Sequence, residues 1–225
     1  MLALLYDVHG NLPALEAVLA EAESAGAESF VLGGDYALFG AWPRETVERL
    51  RELQARWIRG NGERWTATPD EAPEEVLGAI ERCRELLGAE LVGELAGLPA
   101  TLTDGSVLYC HGSPVSDVES FAAEPGDEDA RLMAGVTATR LVFGHTHLAF
   151  RREAAGVELV NPGSVGMPFD GDHRAAWALV GDDGRVELRR SAYDHMASAA
   201  AVRERLGEAG ELPARRIELA SFAAD

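Results

Sequence analysis

Residues 2–11 read LALLYDVHGN, an apolar stretch that passes directly into a polar turn containing Asp7 and His9. The apolar part has the length and composition of a short buried strand. Apolar residues then recur at helical spacing from Leu12 to Ala22, which predicts an amphipathic helix. This stretch therefore predicts a strand, a polar turn and a helix in direct succession.

The same transition from an apolar strand to a polar turn recurs along the chain, in LGGD, RGNGE, YCHG and FGHTH at residues 32–35, 59–63, 109–112 and 143–147. Strands alternate with helices early and crowd together late, which predicts a layered α/β domain with helices outside and a sheet or paired sheets inside. In such folds ligands bind beyond the carboxyl ends of the strands. We therefore expect these polar turns to meet at one site.

The remaining elements are less informative about function. We expect one domain over residues 1–225 with a mainly helical segment at about 66–98. The other expected elements are a helix at 45–56, a hairpin around Asp104–Gly105, strands at 157–160, 175–180 and 186–190, and a helix at 194–208.

Composition narrows the classes of function. The net charge is −18 over 225 residues, a balance that repels nucleic-acid backbones and anionic membranes. We therefore expect no membrane association and no stable nucleic-acid partner. No apolar run is long enough to span a membrane, and the first residues lack the basic segment of a signal peptide, so we expect a cytoplasmic protein. Two cysteines are too few for a disulfide framework and are expected to be buried free thiols.

The polar turns carry side chains that ligate metals through oxygen or imidazole. These are Asp7, His9, Asp35, Asn61, His111, His145 and His147. Seven ligands are too many for one ion and fit two, and a pair of cations about 3.5–4 Å apart suits the handling of phosphate esters. Asp35 is the natural candidate for a carboxylate shared by both ions. Residues i and i+2 of an extended segment share a face, so both histidines of GHTH can point into one site.

In this order, the motifs D-x-H, G-D, G-N-G-E, H-G and G-H-x-H resemble the signature of the calcineurin-like metallophosphoesterase superfamily, and NPGSVG at residues 161–166 resembles its small bacterial phosphodiesterase branch. The resemblance implies an α/β fold in which an α-β-β-α sandwich contains two mixed sheets flanked by helices. It also implies hydrolysis of phosphate esters by a hydroxide that bridges two metal ions.

The resemblance assigns roles to individual residues. It implies one ion held by Asp7, His9, Asp35 and His147, and a second held by Asp35, Asn61, His111 and His145. Asp35, Asn61 and His111 are the expected catalytic residues. The ions are expected to be two divalent transition metals, with manganese first and iron, zinc, nickel or cobalt as alternatives.

The chain departs from the family pattern at Gly62, where many members carry a histidine thought to protonate the leaving group. We expect either substrates with good leaving groups or another proton donor, and we consider His173, in the polar segment DGDHR, as that donor. Asn11 has two interpretations: it caps the first helix, or it binds the substrate phosphate.

Substrate and partners stay open at this stage. The expected substrate is a small phosphate ester: first a phosphodiester such as a cyclic nucleotide, then a phosphomonoester or a dinucleoside polyphosphate. A second interpretation is a scaffold that keeps the fold without catalysis, as in a subunit of the eukaryotic retromer coat. A third, a mononuclear iron oxygenase, is disfavoured because it needs only two histidines and one carboxylate. Relatives of this size often form homo-oligomers.

Overall fold

The computed structural model describes residues 1–223 and contains ten strands in two five-stranded sheets. In chain order the strands are β1 (Leu2–Leu5), β2 (Ser29–Leu32), β3 (Ala55–Trp57), β4 (Thr101–Asp104), β5 (Val107–Cys110), β6 (Arg140–Val142), β7 (Ala149–Ala154), β8 (Val157–Pro162), β9 (Ala175–Val180) and β10 (Val186–Ser191).

Both sheets mix parallel and antiparallel pairs. The first has the order β10-β9-β1-β2-β3, with β1, β2 and β3 parallel and the β9–β10 hairpin antiparallel to β1. The second has the order β4-β5-β6-β8-β7, with β5, β6 and β8 parallel and the outer strands β4 and β7 antiparallel to their neighbours. The carboxyl ends of five strands, β1, β2, β3, β5 and β6, therefore lead into the polar turns that the sequence singles out.

Eight α-helices flank the sheets. They are α1 (Leu12–Ser24), α2 (Pro43–Arg51), α3 (Asn61–Ala67), α4 (Leu77–Leu87), α5 (Ala89–Ala96), α6 (Asp129–Leu132), α7 (His195–Leu206) and α8 (Glu211–Leu219), with short 3₁₀ turns at Pro69–Glu71, Glu74–Val76 and Gly207–Gly210. The counts of strands and helices refer to residues 1–223.

Alternating side chains on each strand divide the core into layers. Along β1, Ala3 and Leu5 pack on the helices of the outer layer, whereas Leu4 packs between the sheets. In β6, Leu141 faces the outer layer and Val142 faces the other sheet. The expected α-β-β-α sandwich of two mixed sheets flanked by helices is therefore confirmed.

The structure also tests two local predictions. The hairpin at Asp104–Gly105 is confirmed by the antiparallel pairing of β4 with β5. The helix expected over 45–56 is wrong at its end: α2 stops at Arg51, and residues 55–57 form β3. Pairing of Ala55 with Phe30 on the edge of the first sheet outweighs the helical preference of this segment.

The two cysteines, Cys83 and Cys110, are buried free thiols, as expected. Burial raises the pKa of the Cys83 thiol to about 12 and also raises the pKa of Cys110, so both stay protonated and unreactive near neutral pH. Between residues 1 and 223, no helix combines the length and the apolar character that crossing a membrane requires.

Leu32 tests the packing of the first sheet against its helices. Its side chain is 0% exposed, so Leu32→Ala should lower the free energy of unfolding by about 2–5 kcal/mol. Leu219→Ala, at a leucine that is 49% exposed, should change it by no more than about 0.5 kcal/mol. Urea unfolding followed by circular dichroism measures both, and equal losses would contradict the assigned layers.

Candidate metal centre

The first three predicted ligands lie where β1 and β2 end. Backbone hydrogen bonds continue the pairing of these strands into the turns, with Asp7 N donating to Gly34 O at 3.1 Å and His9 N donating to Asp35 O at 2.8 Å. The two turns therefore run side by side. They place Asp7, His9 and Asp35 at one edge of the sheet, and all three are at most 3% exposed.

The second sheet brings the remaining histidines to the same edge. His111 follows β5, and Gly144 at the end of β6 donates its N–H to His111 O at 2.7 Å. The next residue, His145, contacts the other sheet, because its backbone N–H donates to Asp7 Oδ2 at 3.1 Å. One carboxylate oxygen of Asp7 is thus used to join the sheets, and its second oxygen faces the site.

The ligand turns adopt a backbone conformation that side-chain-bearing residues rarely take. Five of the seven predicted ligands have φ between 48° and 68°: Asp7, His9, Asp35, His145 and His147. Such left-handed residues cost roughly 1–3 kcal/mol each and concentrate at functional sites. The surrounding fold therefore offsets backbone strain in order to aim these side chains inward.

Three imidazoles are fixed by the main chain through the same ring nitrogen. Nδ1 lies 2.9 Å from Leu38 O in His9, 2.8 Å from Gly33 O in His111 and 2.6 Å from Met167 O in His147. A carbonyl oxygen only accepts, so each Nδ1 carries a proton and donates it. Nε2 is then the nitrogen left to bind a cation when the ring carries no second proton, as in histidines that bind metals.

The first ligand group consists of Asp7, His9 and His147. The Nε2 atoms of the two histidines are 3.0 Å apart, and Asp7 Oδ1 lies 3.9 Å from the first and 3.4 Å from the second. Two lone pairs that face each other at this distance repel unless a proton or a cation lies between them. The arrangement therefore fits a divalent cation held by two imidazoles and a carboxylate.

The second ligand group consists of Asp7, Asp35 and His111. His111 Nε2 lies 3.5 Å from Asp35 Oδ1 and 3.7 Å from Asp7 Oδ1. Within residues 1–223, His111 Nε2, Asp7 Oδ1 and Asn61 Oδ1 are buried and have no hydrogen-bond partner. Unsatisfied buried polar atoms are costly, and these three are of the types that ligate divalent cations.

The carboxylate common to both ligand groups is that of Asp7, whereas the sequence singles out Asp35 as the shared ligand. Asp35 also faces both groups, because its Oδ2 lies 3.9 Å from His9 Nε2 while its Oδ1 faces His111. The bridging role of Asp35 stays a prediction. His145 and Asn61 lie at the edge of the cluster, where both line the cleft described below.

Burial and charge set the protonation of the cluster. Burial and the nearby His147 lower the pKa of His9 to about 3, and burial and His111 lower that of His145 to about 4. Burial would also lower the pKa of His111, but Asp35 and Asp7 reverse the effect and raise it to about 9. A cation that binds His111 must therefore displace a proton from it.

The two carboxyl groups differ in the same way. Burial raises the pKa of Asp35 to about 7 despite the nearby His111. Burial acts upward on Asp7 as well, but His147 and His111 outweigh it and hold the pKa of Asp7 below its usual range. The site therefore holds at least one permanent negative charge for a cation near neutral pH.

Glu63 positions two of the ligand turns, a role that was not predicted from the sequence. Its carboxylate accepts the backbone N–H groups of Asp35 (2.9 Å), Tyr36 (2.8 Å) and Gly60 (2.7 Å). It thereby fixes the turn after β2 against the start of α3, where Asn61 lies. A capping-box spacing, with an acidic residue three positions after Gly60, is the sequence signal that identifies it.

Gly62, the position that departs from the family pattern, contacts the Asp35 carboxylate. Its N–H donates to Asp35 Oδ1 at 2.7 Å, and a Cβ added there would lie 2.8 Å from the same oxygen. A histidine therefore fits at this position only if the Asp35 carboxylate moves.

Two residues of the NPGSVG segment position the ligand turns. Ser164 donates its hydroxyl to Asp7 O at 2.7 Å, and Asn161 donates to Gly144 O at 3.1 Å. Both side chains are fully buried. The sequence suggested only a family resemblance for this segment, because their partners are distant in the chain.

The two predicted substrate-binding residues, Asn11 and His173, form hydrogen bonds with groups outside the set of predicted ligands. Asn11 caps α1 through Ala14 N (3.4 Å), donates to Gly166 O (2.8 Å) and accepts from Ser198 (3.1 Å), so its amide is occupied by structural contacts. His173 bonds Glu218 O at 2.8 Å and packs on the His195 ring, and it is not among the described residues that line the cleft. Asn11 caps α1, as one of its two interpretations expects, whereas the phosphate-binding role of Asn11 and the proton-donor role of His173 stay predictions.

A cleft of about 640 Å³ opens over the ligand cluster. His9, Asp35, Asn61, His145 and His147 form part of its lining. Most of the remaining wall is apolar, with Trp65 and Phe169 among its aromatic side chains. A small organic molecule can therefore reach the ligands from solvent.

Residues 1–183 match the calcineurin-like phosphoesterase superfamily domain, and the chain belongs to this family. It is similar to the crystal structure of a metallophosphoesterase from Sphaerobacter thermophilus, with a TM-score of 0.83 and 28% identity over 97% of this chain and 99% of that one. A hypothetical protein from Pyrococcus horikoshii shares the fold, with a TM-score of 0.82 and 24% identity over 94% and 96% of the two chains.

An uncharacterised protein of Methanocaldococcus jannaschii is 28% identical over 218 residues, which cover 86% of this chain and 88% of the relative. The family match thus gives the class of the protein, and the metal and substrate remain to be proposed.

Glu63→Gln tests the anchoring role of the Glu63 carboxylate. Glutamine offers one acceptor oxygen and an NH₂ group, so at least one of the three backbone donors loses its partner. The free energy of unfolding should therefore fall by about 1–3 kcal/mol. Urea unfolding measures the change. Glu81→Gln, on the exposed face of α4, is the matched control and should behave as the unchanged protein. An equal effect of both substitutions would remove the anchoring role.

The ligand cluster predicts stabilisation by divalent cations. Mn²⁺ at one hundred times its Kd should raise the free energy of unfolding of chelator-treated protein by about 2.7 kcal/mol. Because His111, with a pKa raised to about 9, must lose a proton, affinity should be weaker at pH 6 than at pH 8, by up to about tenfold per pH unit for each proton released.

Thermal unfolding with and without Mn²⁺ measures this response. His147→Ala should abolish most of it, whereas His173→Ala, at a histidine outside the cleft, should preserve it. Equal responses of the two variants would show that the cation binds elsewhere.

Proposed function

We propose that this protein is a dinuclear-metal-dependent phosphoesterase. Phosphodiesters, cyclic nucleotides among them, are the preferred class of substrate, followed by phosphomonoesters and dinucleoside polyphosphates. One observation carries the proposal: three imidazoles donate Nδ1–H to the main chain and aim Nε2 at two buried carboxylates. Such a set of acceptors in a cleft has a clear use as a divalent-cation site.

The proposed ligands divide between two ions. Asp7, His9, Asp35 and His147 hold one, and Asp35, Asn61, His111 and His145 hold the other. Cations held there would lower the pKa of a bound water molecule, and their positive charge would offset the charge of the phosphoryl oxygens. The short approach of Asp7 Oδ1 to both groups supports a pair of ions close together.

The chain's own residues orient the reaction. The main-chain bonds to Nδ1 fix three imidazole planes before substrate binds, and Glu63 fixes the turns that carry Asp35 and Asn61. This preorganisation lets the cluster stabilise developing charge without rearranging. In hydrolysis, water adds to phosphorus, the bond to the leaving oxygen breaks, and that oxygen takes up a proton.

Gly62 influences which esters are suitable. No imidazole follows Asn61 to protonate the leaving oxygen, and the close approach of Asp35 to Gly62 leaves no room for one in the present arrangement. The lack of a general acid costs about 10²–10⁴-fold for a poor leaving group. Esters of acidic alcohols should therefore react fastest, and esters of sugar hydroxyls need another proton donor.

Manganese is the proposed metal, with iron, zinc, nickel and cobalt as alternatives. The site offers imidazole nitrogen, carboxylate oxygen and one amide oxygen, and both cysteines lie elsewhere in the core. A mixed nitrogen and oxygen site accepts each of these ions, so the supply of metal decides between them.

Asp35→Asn should reduce turnover by at least about 10²-fold, since it removes a charge from the position between the two proposed ions. The assay uses bis(p-nitrophenyl) phosphate and Mn²⁺ added to chelator-treated protein, with release of p-nitrophenolate as the readout. Metal content measured on the same samples separates loss of an ion from loss of chemistry.

Asp172→Asn is the matched control, because that aspartate is partly exposed and pairs with Arg174 outside the cleft. It should leave turnover unchanged. Wild-type rates in Asp35→Asn would remove Asp35 from the proposed mechanism. Absence of turnover on any phosphate ester in the unchanged protein would favour the scaffold interpretation.

A further inference from the structure

The outer wall of the cleft is formed in part by the last helix. Pro213, Ala214 and Ile217 bury one face of α8, with Ala214 and Ile217 packing against α7, whereas Leu212 and Arg216 line the cleft from the other face. These two residues are four positions apart and so lie on the same side of the helix. The helix thereby places a guanidinium beside the metal ligands.

Contacts between aromatic rings connect the ligand cluster with this guanidinium. The ring of Phe169 stacks on the His147 imidazole with a centroid distance of 4.3 Å and an angle of 21°. Arg216 Cζ lies 5.8 Å from the Phe169 centroid and 4.3 Å from the Phe222 centroid. One aromatic ring therefore separates a proposed metal ligand from Arg216.

The rest of the cleft wall is largely apolar. Besides Phe169 and Phe222, its apolar and aromatic lining residues include Phe39, Trp65, Val76, Val118, Leu148, Met167 and Leu212. Phe222 is 65% exposed, so much of its ring is available to contact a ligand. Such a wall gives little support to a strongly hydrated group and favours a flat hydrophobic one.

Arg216 is the one arginine or lysine in the described lining of the cleft, and Glu75, in the same lining, is an acidic group that acts on it from beyond ion-pair distance. Within residues 1–223 its side chain makes one hydrogen bond, from Nε to Phe222 O at 3.2 Å, and no carboxylate lies within ion-pair distance. Burial lowers the pKa of this guanidinium, which reflects lost hydration. Its terminal N–H groups are therefore suited to donate to a ligand.

We propose that Arg216, Phe169, Phe222 and Trp65 form a subsite for the organic group of the phosphate ester, and that this group is a flat ring system with hydrogen-bond acceptors on its edge, as in a nucleobase. This proposal rests on the phosphoesterase function proposed above. An arginine guanidinium suits such a group because it stacks on rings and donates to edge acceptors in one plane. Arg216 is thus a specificity-determining residue of the same site.

Two substrates with a common leaving group test the subsite. Thymidine 5′-(p-nitrophenyl phosphate) and methyl p-nitrophenyl phosphate both release p-nitrophenolate and carry the same charge, but only the first carries a nucleobase. The unchanged protein with Mn²⁺ should prefer the thymidine ester by at least about tenfold in kcat/KM. Arg216→Met should reduce that preference by about tenfold, mainly through a higher KM for the thymidine ester.

Three further variants sharpen the test. Arg216→Lys keeps the charge but loses the planar stack, so it should restore only part of the preference. Phe222→Ala, at an exposed ring, should also lower the preference and guards against misfolding of the arginine variants. Arg185→Met, at an exposed arginine outside the cleft, should match the unchanged protein.

The outcomes separate the two proposals. If neither ester is hydrolysed, the proposed phosphodiesterase activity fails, and the subsite proposal fails with it. If both are hydrolysed with a ratio near one, or if Arg216→Met and Phe222→Ala leave the ratio unchanged, the subsite is wrong while the phosphoesterase function stands.

Discussion

The site depends on one constraint: the main chain holds three imidazoles through Nδ1 and leaves each Nε2 free. Carbonyl oxygens from Gly33, Leu38 and Met167 impose this orientation, and each comes from a loop that the sheets bring to the same edge. Ring rotation would break a buried hydrogen bond, so the ligand atoms are set before any cation binds.

The same arrangement lowers the stability of the folded protein. Three ligand atoms are buried without a partner, and five ligands have left-handed backbone. Each of these features destabilises the protein by about 1–3 kcal/mol. A divalent cation removes the first cost, because it turns facing lone pairs into ligands. Metal binding and stability are therefore coupled here, and the hydrogen bonds from Ser164 and Asn161 and to Glu63 offset the strain of the ligand turns.

Much of the fold and the family could be predicted from sequence because their signals are local. The strand and turn transitions at Asp7, Asp35, His111 and His145 are visible in the chain, and parallel strands bring such turns to one edge. The residues that surround and position the ligand turns were less predictable. Asn161 acts on Gly144 across a strand pairing, and Asn11 is saturated by Gly166 and Ser198, contacts that no local pattern encodes. The walls of the cleft likewise depend on where α8 packs.

The charge of the protein explains why a single arginine at the cleft matters. With a net charge of −18, an anionic ester approaches against a repulsive field, and attraction must come from the site itself. Bound cations supply it at the phosphate, but they do not distinguish one ester from another. Among the described lining residues only Arg216 offers both a positive charge and planar donors away from the ligands. In the proposed function, chemistry and selectivity therefore depend on different parts of the fold: the ends of the strands hold the metal ligands, and the last helix contacts the organic group.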